Sequence, residues 1–178
     1  CGFVAVMGAL ATSASIVYTP EEGVNLQQLN EDIQFLHRRF SQDPEFANDG
    51  RLVICNEKAS SVYTAQMIAQ IYGEEGRDDF DSRYESLSHV LQGGIPSPLD
   101  RVQASRLAVR CCEFLEQHAG SSSAWDPPSA MITVRQADTI ITPVAQMMEH
   151  ADFANRRGTD FWWTQCKEYV EIISGRKS

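Results

Sequence analysis

The sequence predicts an α/β fold, a three-layer arrangement in which helices cover both faces of a largely parallel sheet. Three observations point there. Short apolar runs bounded by turn residues alternate along the chain with longer segments of helical period. One of those segments is strongly amphipathic, with Leu26, Leu29, Ile33, Leu36 and Phe40 recurring at three- and four-residue steps. At 178 residues, 43% apolar and 22% charged, the chain is long enough to bury a core of its own.

The elements follow in order. Cys1–Ala14 is small and apolar and reads as a helix, with Gly8 marking a close packing contact. Ser15–Tyr18 is a short strand that Pro20 ends. Leu26–Phe40 is the amphipathic helix, Ser41–Gly50 a polar loop around Pro44, Arg51–Cys55 an apolar strand and Ser60–Tyr72 the next helix. A strand at about Arg83–Leu91 leads through Gly93 and Gly94 into a helix over Leu99–His118. The start of that helix is well specified: Ser97 suits the N-cap, Pro98 the first helical position, and Asp100 at N3 completes a capping box. Gly120–Pro128 (GSSSAWDPP) has the composition of a linker. Ala130–Arg135 and Thr139–Thr142 read as two strands around Gln136–Asp138, with a short helix at Val144–His150 and a last one at Asp160–Ile173. The expected organisation is an α/β lobe over 1–119, a linker loop over 120–129, and a C-terminal hairpin and helices over 130–178 that complete the same lobe.

Composition excludes several classes. A net charge of −9 argues against nonspecific nucleic-acid binding, which needs a basic surface. It leaves phosphate ligands open, because a few local arginines outweigh a distant acidic background. No apolar run approaches the roughly 20 residues of a membrane span, and the first residues lack a signal-peptide pattern. Cys1, Cys55, Cys111, Cys112 and Cys166 form no C-x-x-C and find no histidine pair at zinc spacing, so buried thiols are expected and no metal site.

Ser82–Arg106 concentrates the chemistry. Arg83 and His89 are six residues apart, so on a strand they share a face. A cation and a ring nitrogen beside a glycine turn and a helix start form a place to hold a phosphate. The same residues also fit a buried strand joined to a helix by an ordinary turn. Arg83 follows Asp78, Asp79 and Asp81 and can pair with one of them. Glu57, after the Arg51–Cys55 strand, reads either as a presented acceptor or as a helix N-terminal carboxylate. Trp162 and Trp163 read as core packing, and His37, His118 and His150 as surface residues. Ser121–Ser123 lacks the setting of a nucleophile elbow.

The segment His89–Arg101 (HVLQGGIPSPLDR) closely resembles the GH-x-Q-x-GG-x-P-x-x-x-DR stretch of 6-phosphofructokinases. Further words of that family fall in order. Cys1–Ala14 resembles its CGYLA-type helix, Tyr18–Glu22 its Y-x-x-EE, and Leu52–Ser60 (LVICNEKAS) its L-x-x-NEK. Gly73–Arg83 (GEEGRDDFDSR) is similar to EEG-x-x-x-FDSR, Asp152–Trp163 to DF-x-x-R…WW, and Ile172–Arg176 to the terminal ILSGR. The likeness covers essentially the whole chain.

The resemblance implies a phosphofructokinase-type sugar-phosphate lobe. By family, Arg83, His89 and Arg156 hold phosphate and Glu57 accepts hydrogen bonds from sugar hydroxyls. Gly93 and Gly94 let the backbone approach. Gln92 stands where the catalytic half of the fungal-like ATP-dependent enzymes carries an arginine and the regulatory half a glutamine. The implied piece is therefore from the C-terminal, regulatory half, with fructose 2,6-bisphosphate or fructose 6-phosphate as ligand. Ser88 replaces the family's usual glycine before the histidine, and Leu91 its usual polar residue. The family's ATP loop and catalytic aspartate lie upstream of Cys1, so no catalytic residue is expected here. Mg2+ and ATP are cofactors of the full enzyme. The other implied partners are the remaining lobes of the same enzyme in a homo- or hetero-oligomer, in the cytoplasm. The alternative from a different class is a noncatalytic lobe that keeps the fold for subunit contacts and has lost its ligand.

Overall fold

A computed structural model describes residues 2–42, 50–120 and 129–176, the Gln92 side chain excepted. The expected linker over 120–129 lies, apart from its two end residues, outside the described residues, as does most of the Ser41–Gly50 loop. The chain divides into two compact units, one formed by Cys1–Ser86 with Phe161–Ser178 and the other by Leu87–Asp160.

The first unit contains helix α1 (Gly2–Ala11), strand β1 (Ile16–Tyr18), helix α2 (Leu26–Gln42), strand β2 (Val53–Cys55), helix α3 (Ala65–Glu75) and the closing helix α6 (Thr164–Ile173). β1 and β2 pair in parallel, Ile16 opposite Val53 and Tyr18 opposite Cys55. All three β1 residues are buried, and their alternation creates the three layers. Ile16 and Tyr18 face Leu29, Ile33 and Leu36 of α2 and Ile68 and Tyr72 of α3. Val17 faces the other way, toward Ala5, Val6 and Ala9 of α1, Val170 of α6, and Trp163. β2 follows the same rule, with Val53 and Cys55 on the first side and Ile54 on the second. Helices thus lie on both faces of a parallel pair. A Cβ on Gly8 would stand 3.7 Å from Ile54 Cδ1, an ordinary packing distance. Trp163 is buried whereas Trp162 is exposed and lies against Phe3 at 6.0 Å, so only half of the tryptophan pair is core.

The second unit holds helix α4 (Pro98–His118), an antiparallel hairpin of β3 (Ala130–Arg135) and β4 (Asp138–Pro143), helix α5 (Val144–Met148), and a short hairpin of β5 (Ala151–Asp152) and β6 (Arg157–Gly158). Gln136 turns the first hairpin with φ +57. The β5–β6 pair has no counterpart in the sequence reading, since two-residue strands carry no periodicity. α4 fully buries none of its residues; it has its cap, local pairs such as Arg110 with Glu113 at 2.6 Å, and a bond from the Arg106 guanidinium to the Ala137 carbonyl in the hairpin turn. No helix among the described residues is long and apolar enough to cross a membrane.

The strand expected at about Arg83–Leu91 does not form. Residues 81–87 are irregular, and Ser88–Gln92 is a 3-10 turn in which the Val90 N–H donates to the Leu87 carbonyl at 3.0 Å. No other strand among the described residues pairs with this segment, and its Tyr84, Leu87 and Val90 side chains are exposed, so neither a ladder nor a buried face holds it extended. Arg83 and His89 therefore do not share a strand face, and His89 is not at a strand end.

Candidate functional site

Glu57 owes its position to the end of the parallel pair. The Asn56 N–H donates to the Tyr18 carbonyl at 3.0 Å, one bond beyond the ladder. The Asn56 side chain then accepts from the Lys58 N–H at 2.9 Å, and its carbonyl accepts from the Ala59 N–H at 2.9 Å. This turn closes on itself through asparagine, as Asx-turns do, and leaves Glu57 exposed at its tip. The carboxylate stands at the carboxyl edge of the sheet, where ligands of open α/β sheets bind.

Arg83 lies in the irregular segment of the same unit. Its side chain is 93% exposed, and its Nε is 3.7 Å from an Asp81 carboxylate that is itself 79% exposed. A solvated pair of that length contributes little, so the guanidinium remains available to a stronger acceptor.

His89, Gln92, Gly93 and Gly94 belong to the second unit. Ser88 carries φ +43, in the left-handed region that favours glycine, and its Oγ lies 3.1 Å from His89 Nδ1. His89 is exposed on the 3-10 turn that follows. The Gln92 backbone ends that turn, and its side chain lies outside the described residues. Gly93 is extended, with φ −133 and ψ 139, so backbone strain does not require glycine there. A Cβ on Gly93 or Gly94 would meet nothing within 4 Å, which leaves open space over the backbone at both. Three residues on, the capping box is present in full. The Asp100 N–H donates to Ser97 Oγ at 3.2 Å and the Ser97 N–H to Asp100 Oδ2 at 2.8 Å. Hydrogen bonds from Ser97 hold the Asp100 carboxyl below the usual range.

Arg156 ends the β5–β6 turn and Arg157 begins β6. Asp152 accepts from the Asn155 N–H at 3.1 Å and the Asn155 Nδ2 at 2.7 Å, and Arg157 Nε lies 3.4 Å from it. These contacts, Asn155 first, hold the Asp152 carboxyl low. Arg157 is thereby committed to the turn. Arg156 sits at φ +53 with an exposed side chain and no ion pair among the described residues.

The first unit thus presents Glu57 and Arg83, and the second His89, Gly93, Gly94 and Arg156. Among the described residues, no group of three or more His, Cys, Asp or Glu side chains could hold a metal. His37 proves to be a tied residue, with Nδ1 2.5 Å from Asp79 and Nε2 3.0 Å from the Glu75 carbonyl.

One cluster escaped the sequence reading altogether. Asp32 is fully buried on α2 and accepts from the Tyr18 hydroxyl at 2.6 Å. The Tyr72 hydroxyl lies 2.6 Å from that of Tyr18 and donates to it, because Tyr18 has spent its only proton. Arg176 pairs with the second Asp32 oxygen. Burial pushes the Asp32 carboxyl up, against the pull of Tyr18 and Arg176, and pushes both phenols up as well. The sequence signal available was an aspartate on the apolar stripe of α2, one position before Ile33.

Known proteins extend this description. Residues 1–115 match the family model described as Phosphofructokinase. The ATP-dependent 6-phosphofructokinase of Aspergillus fumigatus is 39% identical over 185 residues, which cover 99% of this chain and 23% of that protein. The ATP-dependent 6-phosphofructokinase subunit beta of Komagataella phaffii is 36% identical over 193 residues, covering 99% and 20%. The solved phosphofructokinase of Saccharomyces cerevisiae matches with a TM-score of 0.89 at 37% identity, over 98% of this chain and 24% of the other. The Pichia pastoris enzyme, in a crystal structure of its T-state, matches with a TM-score of 0.85 at 34% identity, over 99% and 21%. The chain therefore spans about a quarter or less of the length of the proteins it matches. With one family model matched over residues 1–115 and the same fold in two solved members, this chain belongs to the phosphofructokinase family.

Proposed function

We propose that this chain is the sugar-phosphate-binding part of the regulatory half of an ATP-dependent 6-phosphofructokinase, with fructose 2,6-bisphosphate as its ligand. In this reading Arg83, His89 and Arg156 hold phosphate, Glu57 accepts from sugar hydroxyls, and Gly93 and Gly94 admit the phosphate to the backbone. Gln92, where a catalytic half carries arginine, favours the regulatory assignment. The observation that carries the proposal is the state of the charges. Arg156 is unspent while its neighbour Arg157 is committed to Asp152, and Glu57 is held out at the sheet's carboxyl edge by the Asn56 turn.

The parent enzyme transfers a phosphoryl group from ATP to fructose 6-phosphate, giving fructose 1,6-bisphosphate in glycolysis, in the cytoplasm. That chemistry needs a positioned nucleotide, Mg2+ and a base. In this reading no step of the transfer is assigned to a residue of this chain. ATP and Mg2+ belong to the remaining lobes. Relatives named as alpha and beta subunits support a hetero-oligomer.

Calorimetric titration with fructose 2,6-bisphosphate and fructose 6-phosphate, repeated on Arg83→Ala, tests the reading. Losing one charge-assisted contact costs on the order of 1.5–3 kcal/mol, so binding weakens by about one to two decades. A second reading, a noncatalytic lobe kept for subunit contacts, is favoured by the Ser88 side chain at a left-handed position directly before His89. It predicts no binding by a folded chain.

A further inference from the structure

The closing ISGR segment is built to deliver one charge. The Gly175 N–H donates to the Ile172 carbonyl at 3.0 Å and the Arg176 N–H to the Glu171 carbonyl at 2.9 Å. With Gly175 at φ +76, these are the two bonds of a Schellman motif after α6. The reversal carries the chain past Arg39, whose guanidinium lies 3.5 Å from where a Cβ on Gly175 would stand. It ends with Arg176 against Asp32. That contact is an ion pair without an aligned hydrogen bond at Oδ1, so it works as a counter-charge more than as a geometric clamp. An uncompensated carboxylate at this depth would be strongly disfavoured.

Asp32 holds Tyr18 directly and Tyr72 through the Tyr18 hydroxyl, so four separate elements, β1, α2, α3 and the C-terminal turn, are linked through one buried network. Tyr18 is the last residue of β1. Its side chain belongs to this hub, and its carbonyl accepts the Asn56 N–H that starts the Glu57 turn. The end of β1 therefore connects the buried charge to the presented carboxylate.

We propose that Arg176 is a positioning residue: the C-terminal turn is a strap that neutralises Asp32, locks the carboxyl end of β1 through Tyr18, and so holds the Glu57 turn in place. Its bearing on ligand rests on the sugar-phosphate reading of Glu57. Its bearing on structure does not.

Amide hydrogen exchange on the 178-residue chain tests the strap at the Asn56 N–H. In Arg176→Met, exchange at Asn56 speeds up by at least about tenfold more than at amides of α1. Arg176→Lys, which keeps the charge, restores protection. So does Asp32→Asn combined with Arg176→Met, which removes both charges. Equal acceleration at Asn56 and in α1 would overturn the proposal, since it would reduce Arg176 to a contributor to global stability. Titration with fructose 2,6-bisphosphate separates the two claims. Arg176-dependent protection in a chain that takes up no bisphosphate upholds the strap and overturns the sugar-phosphate reading. Binding of equal strength in wild type and Arg176→Met overturns the positioning role.

Discussion

The Tyr18 hydroxyl donates to the Asp32 carboxylate across 2.6 Å at a point where neither side chain is exposed. A buried acid of this kind stays anionic only with help, and the help comes from the Tyr18 phenol, the Arg176 guanidinium and the charge of Lys167. Tyr18→Phe removes the phenol and is expected to cost about 1–3 kcal/mol in urea unfolding, the penalty of a buried acceptor left short of a donor.

The same acid sets a pH dependence. Asp32 has a folded pKa above its unfolded value, so across the window from the ordinary carboxylate pKa upward the folded chain binds more protons. Its contribution to stability therefore falls as pH rises through that window. Asp32→Asn is expected to remove this fall, so the stability difference between variant and wild type grows from pH 4 toward pH 7. A difference that stays constant with pH would overturn this account.

Asp100 works in the opposite sense. Its folded pKa is depressed, so its stabilising contribution is present above the ordinary carboxylate value and is lost as pH falls through the folded one. Ser97→Ala breaks the same box and should cost about 1 kcal/mol. Circular dichroism at neutral pH should show α4 fraying from its first turn.

Arg156 and Arg157 should separate stability from binding. Arg156→Gly relieves a left-handed residue, so stability rises by about 1 kcal/mol while the affinity for fructose 2,6-bisphosphate falls. Arg157→Ala, which strips Asp152 of a partner, loosens the β5–β6 turn. Thermal unfolding paired with calorimetry reads both, and an Arg156→Gly chain that binds as wild type would remove Arg156 from the site.

Ser88→Gly tests which of the two functional readings holds. Glycine at φ +43 removes both the strain and the side chain beside His89. Tighter bisphosphate binding by the variant would mean that Ser88 narrows a working site. Binding absent from both chains, each folded, would favour the noncatalytic lobe.

What the sequence by itself determined is what depends on near neighbours. Ser97, Pro98 and Asp100 specify the start of α4 within four residues, and the period of Leu26–Phe40 specifies α2 and its buried stripe. The order of family words likewise singled out Glu57, Arg83, His89 and Arg156 as candidates without any geometry. The tertiary structure decided what depends on distant partners. A strand exists only where an edge is offered to it; Ile16–Tyr18 found Val53–Cys55, whereas residues 83–91 pair with no edge among the described residues and stay irregular up to the 3-10 turn at Ser88–Gln92. Two adjacent arginines are equivalent in sequence until Asp152 takes one of them. Asp32 on an apolar stripe reads as a misplaced charge until Tyr18, itself bonded to Tyr72, and Arg176 reach it from other parts of the chain. Such pairings are set by how the elements pack, and local sequence carries no record of the distances that packing creates.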